Sequence, residues 1–460
     1  MPDHRQLVKG LGFYGATSVV AGTMIGTAIF VVPSIMLSHV GSPLMVLVVW
    51  VFAGVLSLFG ALGYAEMGGA LPQAGGEYVY LYRAYGPAMG FMYGWTQFIV
   101  AKSASIAAIS TGFLLYLAYF FPSLMEVIWQ AQPRLGSHAL NLKLTGLQLG
   151  ATVMIGFLSA VNVLGVRRSG AVQTIFTAAK LAVLAVLILA GLLFGHGSPH
   201  SFRASLETHA GLFSGFAVAT VSALWAYDGW NNLSMVAGEV ENPQRNMPRA
   251  LITGSLLVLG VYVLVNISYF RLLSPQEVLS TNTVAAAAAR KFMGTPGATF
   301  VAIGVLISTF ATLNGSILSG SRIPYAQARD GLFPRTLATL HPRFSTPSAS
   351  IVAQACVAGL FALSGSYEAL YTKAIYSEWI FYALVTAGIL VLRHREPGLP
   401  RPYRAWGYPV VPIIFVCLAV LLLVNTFAER RSDALWCLAL VGSGIPAYLA
   451  WKAVKARRRS

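Results

Sequence analysis

Two long apolar stretches of the chain are interrupted near their middles by small and polar residues, about 200 positions apart. The first interruption covers residues 22–27 and the second covers residues 226–231. Backbone that leaves the helix inside a bilayer has polar groups that lipid cannot satisfy, so it must line a cavity or bind a ligand. Paired interruptions in matching halves of a membrane chain indicate the central site of a transporter.

The two interruptions suit opposite charges. Gly22 and Gly26 allow the first segment to leave helical geometry without a side-chain clash. The N–H groups of the half-helix that starts near Thr27 then face the gap with a positive dipole end behind them, which is a site for an anion such as a carboxylate. Carbonyl groups freed after Ala226 would accept hydrogen bonds from an ammonium group. Together the two segments predict a holder for an α-amino acid.

Asp228 lies in the second interruption, where a carboxylate costs about 2.5–3.5 kcal/mol to insert at the bilayer centre. It could contact the substrate and favour cationic or polar side chains. It could equally pair with Lys180 or Lys102, or accept hydrogen bonds from the unwound backbone. The sequence leaves these alternatives open.

Two lysines and a tryptophan are further candidates. Lys180 lies in the middle of a span, and we expect its ammonium to bind carbonyls of a broken helix, as a sodium ion would. Lys102 has either a functional or a supporting role. Trp225 either closes over the substrate as a lid or packs in the core. Solvated or capping roles are expected for three glutamates nearer the ends of spans: Glu66, Glu239 and Glu378.

The composition is that of an integral membrane protein. The chain of 460 residues is 56% hydrophobic and 10% charged, and apolar runs of the length that crosses a bilayer recur along it. We identify 12 such runs and a single transporter domain over residues 1–460. The runs are approximately 13–38, 43–69, 87–120, 144–165, 171–194, 211–238, 250–270, 298–321, 348–364, 372–392, 409–426 and 434–451.

The net charge of +16 has a topological explanation and does not indicate a nucleic-acid partner. With the N-terminus inside, 20 of the 31 Lys and Arg residues fall in cytoplasmic segments, as the positive-inside rule predicts. We therefore expect a multi-pass protein of the cytoplasmic membrane with both termini in the cytoplasm. The three cysteines and eight histidines show no metal-ligand spacing, so neither a metal nor another cofactor is predicted.

The first ten spans divide into two groups of five, each beginning with an interrupted span. An odd number of spans gives the two groups opposite orientations in the membrane, with the site between them. The groups cover about 13–194 and 211–392, and the two spans at about 409–451 lie outside this core.

The motifs resemble those of the amino acid–polyamine–organocation superfamily, in particular the bacterial homologues of its L-type amino acid transporter branch. The resemblance covers nearly the whole chain. It rests on residues 21–30 with Pro33, 71–78, 225–231, 238–248, Asn314 with 315, 321–322 and 328–331, and 401–409.

The resemblance implies an all-α membrane protein of the LeuT type, with broken first and sixth helices and two added C-terminal helices. It also implies sodium-independent exchange of L-amino acids by alternating access. The implied substrate-binding positions are Thr23, Met24, Ile25, Gly26, Thr27, Ala28, Trp225, Ala226, Tyr227 and Asp228, with Trp225 as the gate. Lys180, Lys102 and Asn314 are the implied coupling or structural positions, and Lys180 stands where sodium-coupled relatives bind an ion.

Two departures from the family pattern bear on substrate choice. Ala28 replaces the usual glycine and narrows the cavity by one methyl group. Asp228 replaces the small residue of transporters for large neutral amino acids and resembles the branch that handles cationic substrates. Residues 121–143 contain no cysteine, so no disulfide-linked heavy chain is expected.

Other functions remain as alternatives. Proton-coupled symport of amino acids or polyamines, with Lys180 or Asp228 titrating, is the main rival. A channel or a membrane enzyme is disfavoured, because a midplane site suits occlusion and no nucleophile–base pair is visible.

Overall fold

The computed structural model describes residues 10–73, 75–131, 134–135, 138–139, 142–164, 169–195, 202, 211–344 and 346–457. Within these ranges nine helices are long and apolar enough to cross a membrane, or ten if one bent pair counts as a single span. Two shorter helices correspond to predicted spans but fall below that length. The prediction of a helical, polytopic membrane protein is therefore confirmed at this level.

The helices of the first part of the chain begin with the bent pair. They are α1 (Phe13–Met24), α2 (Ala28–Val40), α3 (Pro43–Ala70), α4 (Glu77–Tyr85), α5 (Pro87–Thr96), α6 (Lys102–Leu117), α7 (Gly146–Val163) and α8 (Ser169–Phe194). A π-helical turn at Gln97–Ala101 joins α5 to α6, so the two form one span.

The second part of the chain begins with the other interrupted segment. Its helices are α9 (Leu212–Tyr227), α10 (Asn232–Met235), α11 (Pro243–Leu272), α12 (Pro275–Leu279), α13 (Val284–Arg329), α14 (Ser348–Ser364), α15 (Tyr367–Arg395), α16 (Val410–Glu429), α17 (Arg431–Gly442) and α18 (Gly444–Arg457). The two short predicted spans are α9 and α14. Helix α13 is interrupted at Gly294, which has φ +64°.

A small β structure was not predicted. Strand β1 (Val127–Ala131) pairs antiparallel with β4 (Leu142–Thr145), and β2 (Arg134–Leu135) pairs with β3 (His138–Ala139). These strands lie between α6 and α7. The helical core is unaffected.

Both interruptions lie where the sequence analysis predicted them. Helix α1 ends at Met24 and α2 begins at Ala28 with a bend of 42°. Helix α9 ends at Tyr227, Asp228 is extended (ψ 150°), and Gly229 has φ +112°. Only glycine adopts that φ at little cost, so the second break depends on this residue.

Small residues let helices approach closely around the two breaks. Gly54 of α3 is one example: a Cβ atom added there would lie 2.7 Å from the Tyr227 hydroxyl and 2.8 Å from Leu259 Cδ1. Close approach of this kind is how membrane helices gain packing energy, because lipid offers no hydrophobic driving force between them.

The segment after α15 is anchored by a buried carboxylate. Glu66 of α3 is 1% exposed, and it accepts hydrogen bonds from Arg393 Nε (2.9 Å) and Nη2 (2.6 Å). It also accepts from the backbone N–H of Ala405 (2.6 Å), and Arg401 Nε lies 3.5 Å away. The expectation of a solvated Glu66 is therefore wrong, because two guanidinium groups compensate its charge inside the protein.

We predict that Glu66→Gln destabilises the protein by about 3 kcal/mol, because it leaves buried guanidinium groups without their counter-charge. The measurement is thermal unfolding of the purified protein in detergent. Glu396→Gln is the matched control, because its ion pair with Arg83 is exposed to solvent and screened by it. Equal melting temperatures for the two variants would contradict this role of Glu66.

Candidate functional site

The two breaks contact each other directly. The Thr23 hydroxyl donates to Gly229 O (2.8 Å) and also lies 2.7 Å from Val19 O. A Cβ atom added to Gly229 would lie only 3.0 Å from the Thr23 carbonyl carbon and oxygen. The absence of a side chain at Gly229 therefore allows the two unwound segments to touch.

Tyr262 of α11 joins the same two segments. Its hydroxyl lies 2.8 Å from Met24 O and 3.0 Å from Ala226 O. A phenol has one proton, so it donates to one carbonyl at a time. This residue could not be predicted from the sequence, because a tyrosine inside an apolar run looks like a packing residue.

Lys180 of α8 binds the first break. Its ammonium donates to Gly22 O (2.9 Å), Ile25 O (3.0 Å) and the Thr312 hydroxyl (2.6 Å). The three partners use all three donors of the ammonium, and the residue is 3% exposed. The sequence-based expectation that Lys180 contacts carbonyls of a broken helix matches this geometry.

The start of α2 has open donors. Within the described ranges, the backbone N–H groups of residues 27–29 have no acceptor, whereas Phe30 N–H donates to Thr27 O (3.0 Å). The last carbonyl groups of α9 end at the same gap and form the negative pole of that helix. The donor-bearing start of α2 and the carbonyl end of α9 thus border one space.

That space is a cavity of about 30 Å³. Seven of the predicted substrate-binding residues line it: Thr23, Met24, Gly26, Thr27, Ala28, Trp225 and Asp228. Ile25, Ala226 and Tyr227 are not in the lining; the first two contribute carbonyls to Lys180 and Tyr262, and the Tyr227 hydroxyl donates to Trp50 O (3.1 Å). The remaining lining residues are Lys102, Ser105, Ile109, Gly229, Asn232, Thr312 and Ser316.

Trp225 closes one side of the cavity. Its indole N–H donates to the Tyr367 hydroxyl (3.0 Å), which lies 3.5 Å from the Thr27 hydroxyl. The indole also stacks on Tyr371, with ring centroids 6.0 Å apart. Two tyrosines of α15 therefore hold the Trp225 side chain in this position, and its role as a gate stays a prediction.

Asp228 has a phenol as its partner. Tyr382 of α15 donates to Asp228 Oδ1 (2.7 Å) and also contacts the carboxylate of Glu378. Neither lysine proposed as its partner forms an ion pair with Asp228 in the described part of the chain. Glu378 is 1% exposed, so the expectation that it is solvated or capping is wrong.

The other two coupling candidates differ in position. Lys102 lines the cavity, and its ammonium donates to Asn232 Oδ1 (3.1 Å). Asn314 lies outside the lining and accepts a hydrogen bond from the Asn162 side chain (2.7 Å). Asn314 therefore links α13 to α7 and does not face the cavity.

We predict that Gly229→Ala abolishes transport, because the added methyl group would meet the Thr23 backbone and alanine disfavours φ +112°. The measurement is uptake by purified protein in liposomes, with insertion checked by size-exclusion chromatography. Gly260→Ala is the matched control, since a Cβ atom there has nothing within 4 Å. Normal uptake by the Gly229 variant would show that contact between the breaks is dispensable.

Comparison with known proteins assigns a family. Residues 11–444 match the family model described as amino acid permease. The chain is 33% identical over 450 residues to the human b(0,+)-type amino acid transporter 1, covering 97% of this chain and 88% of that protein. It is 33% identical over 459 residues to the serine/threonine exchanger SteT of Bacillus subtilis (98% of each chain), and 33% identical over 451 residues to the mouse large neutral amino acids transporter small subunit 2 (96% and 81%). The fold, the paired breaks and these matches agree: the chain belongs to the amino acid permease family of membrane transporters.

Proposed function

We propose that this protein is a sodium-independent exchanger of L-amino acids in the cytoplasmic membrane, working by alternating access. Its 12 spans form a LeuT-type core of two inverted groups of five, about 13–194 and 211–392, with two peripheral spans at about 409–451. Both termini face the cytoplasm, and the protein acts without a disulfide-linked heavy chain. The relative SteT of Bacillus subtilis is named as a serine/threonine exchanger.

One observation carries the proposal: the start of α2, with its open N–H donors, and the carbonyl end of α9 both border the cavity between the breaks, through Thr27, Ala28 and Trp225. The N–H groups of residues 27–29 suit the α-carboxylate, because a helix N-terminus binds anions. The carbonyl end of α9 suits the α-ammonium group. An amino acid can bind both the N–H groups and the carbonyl groups at once, and it thereby supplies hydrogen bonds that the broken helices lack.

Lys180 supports sodium independence. Its ammonium already occupies a nest of three oxygen atoms from α1, the first break and α13. Oxygen atoms from backbone and hydroxyl groups are also what a sodium ion would need. Because the Lys180 side chain already occupies these oxygen atoms, it leaves no room for a coupling ion.

The cavity favours substrates with polar side chains. Its volume is about 30 Å³, and Ala28 occupies space that a glycine would leave. Ser105, Thr312 and Ser316, which carry hydroxyl groups, are among its lining residues. Hydroxyl-lined space suits side chains that form hydrogen bonds, and SteT, a serine/threonine exchanger by name, is one relative.

The test is uptake of radiolabelled L-serine by proteoliposomes that contain either unlabelled L-serine or buffer. Exchange predicts rapid uptake only into loaded vesicles, at the same rate in sodium and in choline buffer. Uptake into empty vesicles that depends on a pH gradient would instead support proton-coupled symport.

We predict that Lys180→Ala slows serine exchange at least about tenfold. Each hydrogen bond to a charged group is worth about 1.5–3 kcal/mol, and the variant leaves the carbonyls of the first break without a donor. Lys452→Ala, at an exposed position on α18, is the control. An unchanged exchange rate in the Lys180 variant would remove its role in the site.

We predict that Ala28→Gly broadens the substrate range toward larger side chains. The change removes one methyl group from the cavity wall, which typically shifts selectivity between substrates by about 1–3 kcal/mol. The measurement is the ratio of leucine to serine exchange, with Ala118→Gly, at the end of α6 outside the cavity, as the control. An unchanged ratio would contradict a size limit set by Ala28.

A further inference from the structure

Two carboxyl groups share one hydrogen-bond donor beside the cavity. The Tyr382 hydroxyl contacts Asp228 Oδ1 at 2.7 Å and also contacts Glu378 Oε2. Asp228 lines the cavity and is partly exposed, whereas Tyr382 and Glu378 lie on α15 outside the lining. Glu378 and Tyr382 are each 1% exposed, so the Glu378 carboxyl is shielded from water.

One cation, Lys102, and one further carboxylate, Glu77, lie within electrostatic reach of this pair. Lys102, the nearby cation, donates to Asn232 and forms no ion pair with either carboxylate among the described residues. Glu77 of α4 is a buried carboxylate, and it has its own donors. These donors are the Tyr93 hydroxyl (2.8 Å), the Asn231 amide (2.7 Å) and the Tyr64 hydroxyl (3.4 Å).

The two contacts of the Tyr382 hydroxyl are both hydrogen bonds only if one of the carboxyl groups is protonated. A phenol has one proton and can donate it to only one acceptor. Its contact with the second carboxyl is a hydrogen bond only if that carboxyl is protonated and donates to the phenol oxygen. Two carboxylates at one donor also repel each other unless one is neutral. The arrangement Asp228–Tyr382–Glu378 is therefore complete with one carboxyl proton.

We propose that Glu378 is a specificity-determining residue that acts through Tyr382: it shares one proton with Asp228, and this proton is exchanged for the positive charge of a cationic substrate side chain. The proposal rests on the proposed amino acid exchange. When a neutral amino acid binds, the carboxyl keeps its proton. When a guanidinium or ammonium side chain binds, the carboxyl O–H bond breaks, the proton passes to water on the open side, and the cation lies beside the Asp228 carboxylate with the Glu378 carboxylate behind it.

The exchange of charge has a transport consequence. External arginine binds after the proton has left to the outside, and the cation is released inside. When the protein then carries internal serine outward, the two carboxyl groups take up one proton from the vesicle lumen. They release this proton outside. One arginine cation therefore enters for each proton that leaves. The lumen becomes more alkaline, and no net charge crosses the membrane.

The first measurement is the pH dependence of the KM for arginine and serine in proteoliposomes. Protons compete with the arginine side chain for the two carboxyl groups, but they do not compete with serine. The arginine KM therefore rises as pH falls, by at most about tenfold per pH unit. The serine KM stays constant. Parallel changes in both KM values would overturn the proposal.

The second measurement is lumen pH, followed with a trapped fluorescent indicator. External arginine added to serine-filled vesicles should raise the lumen pH, whereas external serine should not. A flat lumen pH during arginine–serine exchange, or no arginine exchange at all, would overturn the proposal. Serine–serine exchange in the same vesicles would still support the proposed function, so the two failures are distinguishable.

Glu378→Gln tests the residue itself. The amide keeps the size of the side chain and its contact with Tyr382 but cannot share a carboxyl proton. We expect an arginine KM that no longer varies with pH and the loss of lumen alkalinisation. Glu277→Gln, which changes an exposed carboxylate on α12, should behave as the unmodified protein. A Glu378 variant that retains the pH dependence would overturn the proposal, and the two wild-type measurements decide it if that variant does not insert.

Discussion

Unwound backbone inside a membrane needs hydrogen-bond partners that lipid cannot supply, and the core of this protein is organised by that requirement. Two helices are broken at corresponding places, and the breaks are brought into contact at Thr23 and Gly229. Each group that supports them comes from a different helix: Tyr262 from α11, Lys180 from α8 and Thr312 from α13. Three helices thus bring side chains to one point, where Tyr262 and Lys180 donate to carbonyls of the breaks and Thr312 accepts from Lys180.

The supporting groups satisfy some backbone atoms of the breaks and leave others open. Carbonyls of the first break are bound by Lys180 and Tyr262, while the N–H groups of residues 27–29 remain without acceptors in the described structure. Because the carbonyls are occupied and the amides are open, this side of the cavity favours a carboxylate. Asp228 likewise has only part of its hydrogen-bonding capacity satisfied, because it shares the Tyr382 hydroxyl with the carboxyl group of Glu378.

The sequence predicted the parts of this site that break a strong pattern. Glycines, Asp228 and Lys180 are conspicuous inside apolar runs, and the structure brings them to one region of the core. Tyr262, Tyr367 and Tyr382 were missed because aromatic residues inside spans usually pack, and only tertiary contacts show what their hydroxyls bind. The expectations for Glu66 and Glu378 failed for a related reason: distance from a span end along the chain does not measure burial. A helical pattern of apolar residues, with a period of 3.6, does not predict the short β pairs or the interruption at Gly294.

A structure with bound L-serine, determined by cryo-electron microscopy in a lipid nanodisc, tests the central claim most directly. The account predicts serine in the cavity between the breaks, with its carboxylate on the N–H groups of residues 27–29 and its ammonium group at the carbonyl end of α9. Lys180 should keep its three oxygen partners. Serine bound elsewhere, or bound with its carboxylate directed at α9, would contradict the assignment of opposite polarity to the two breaks.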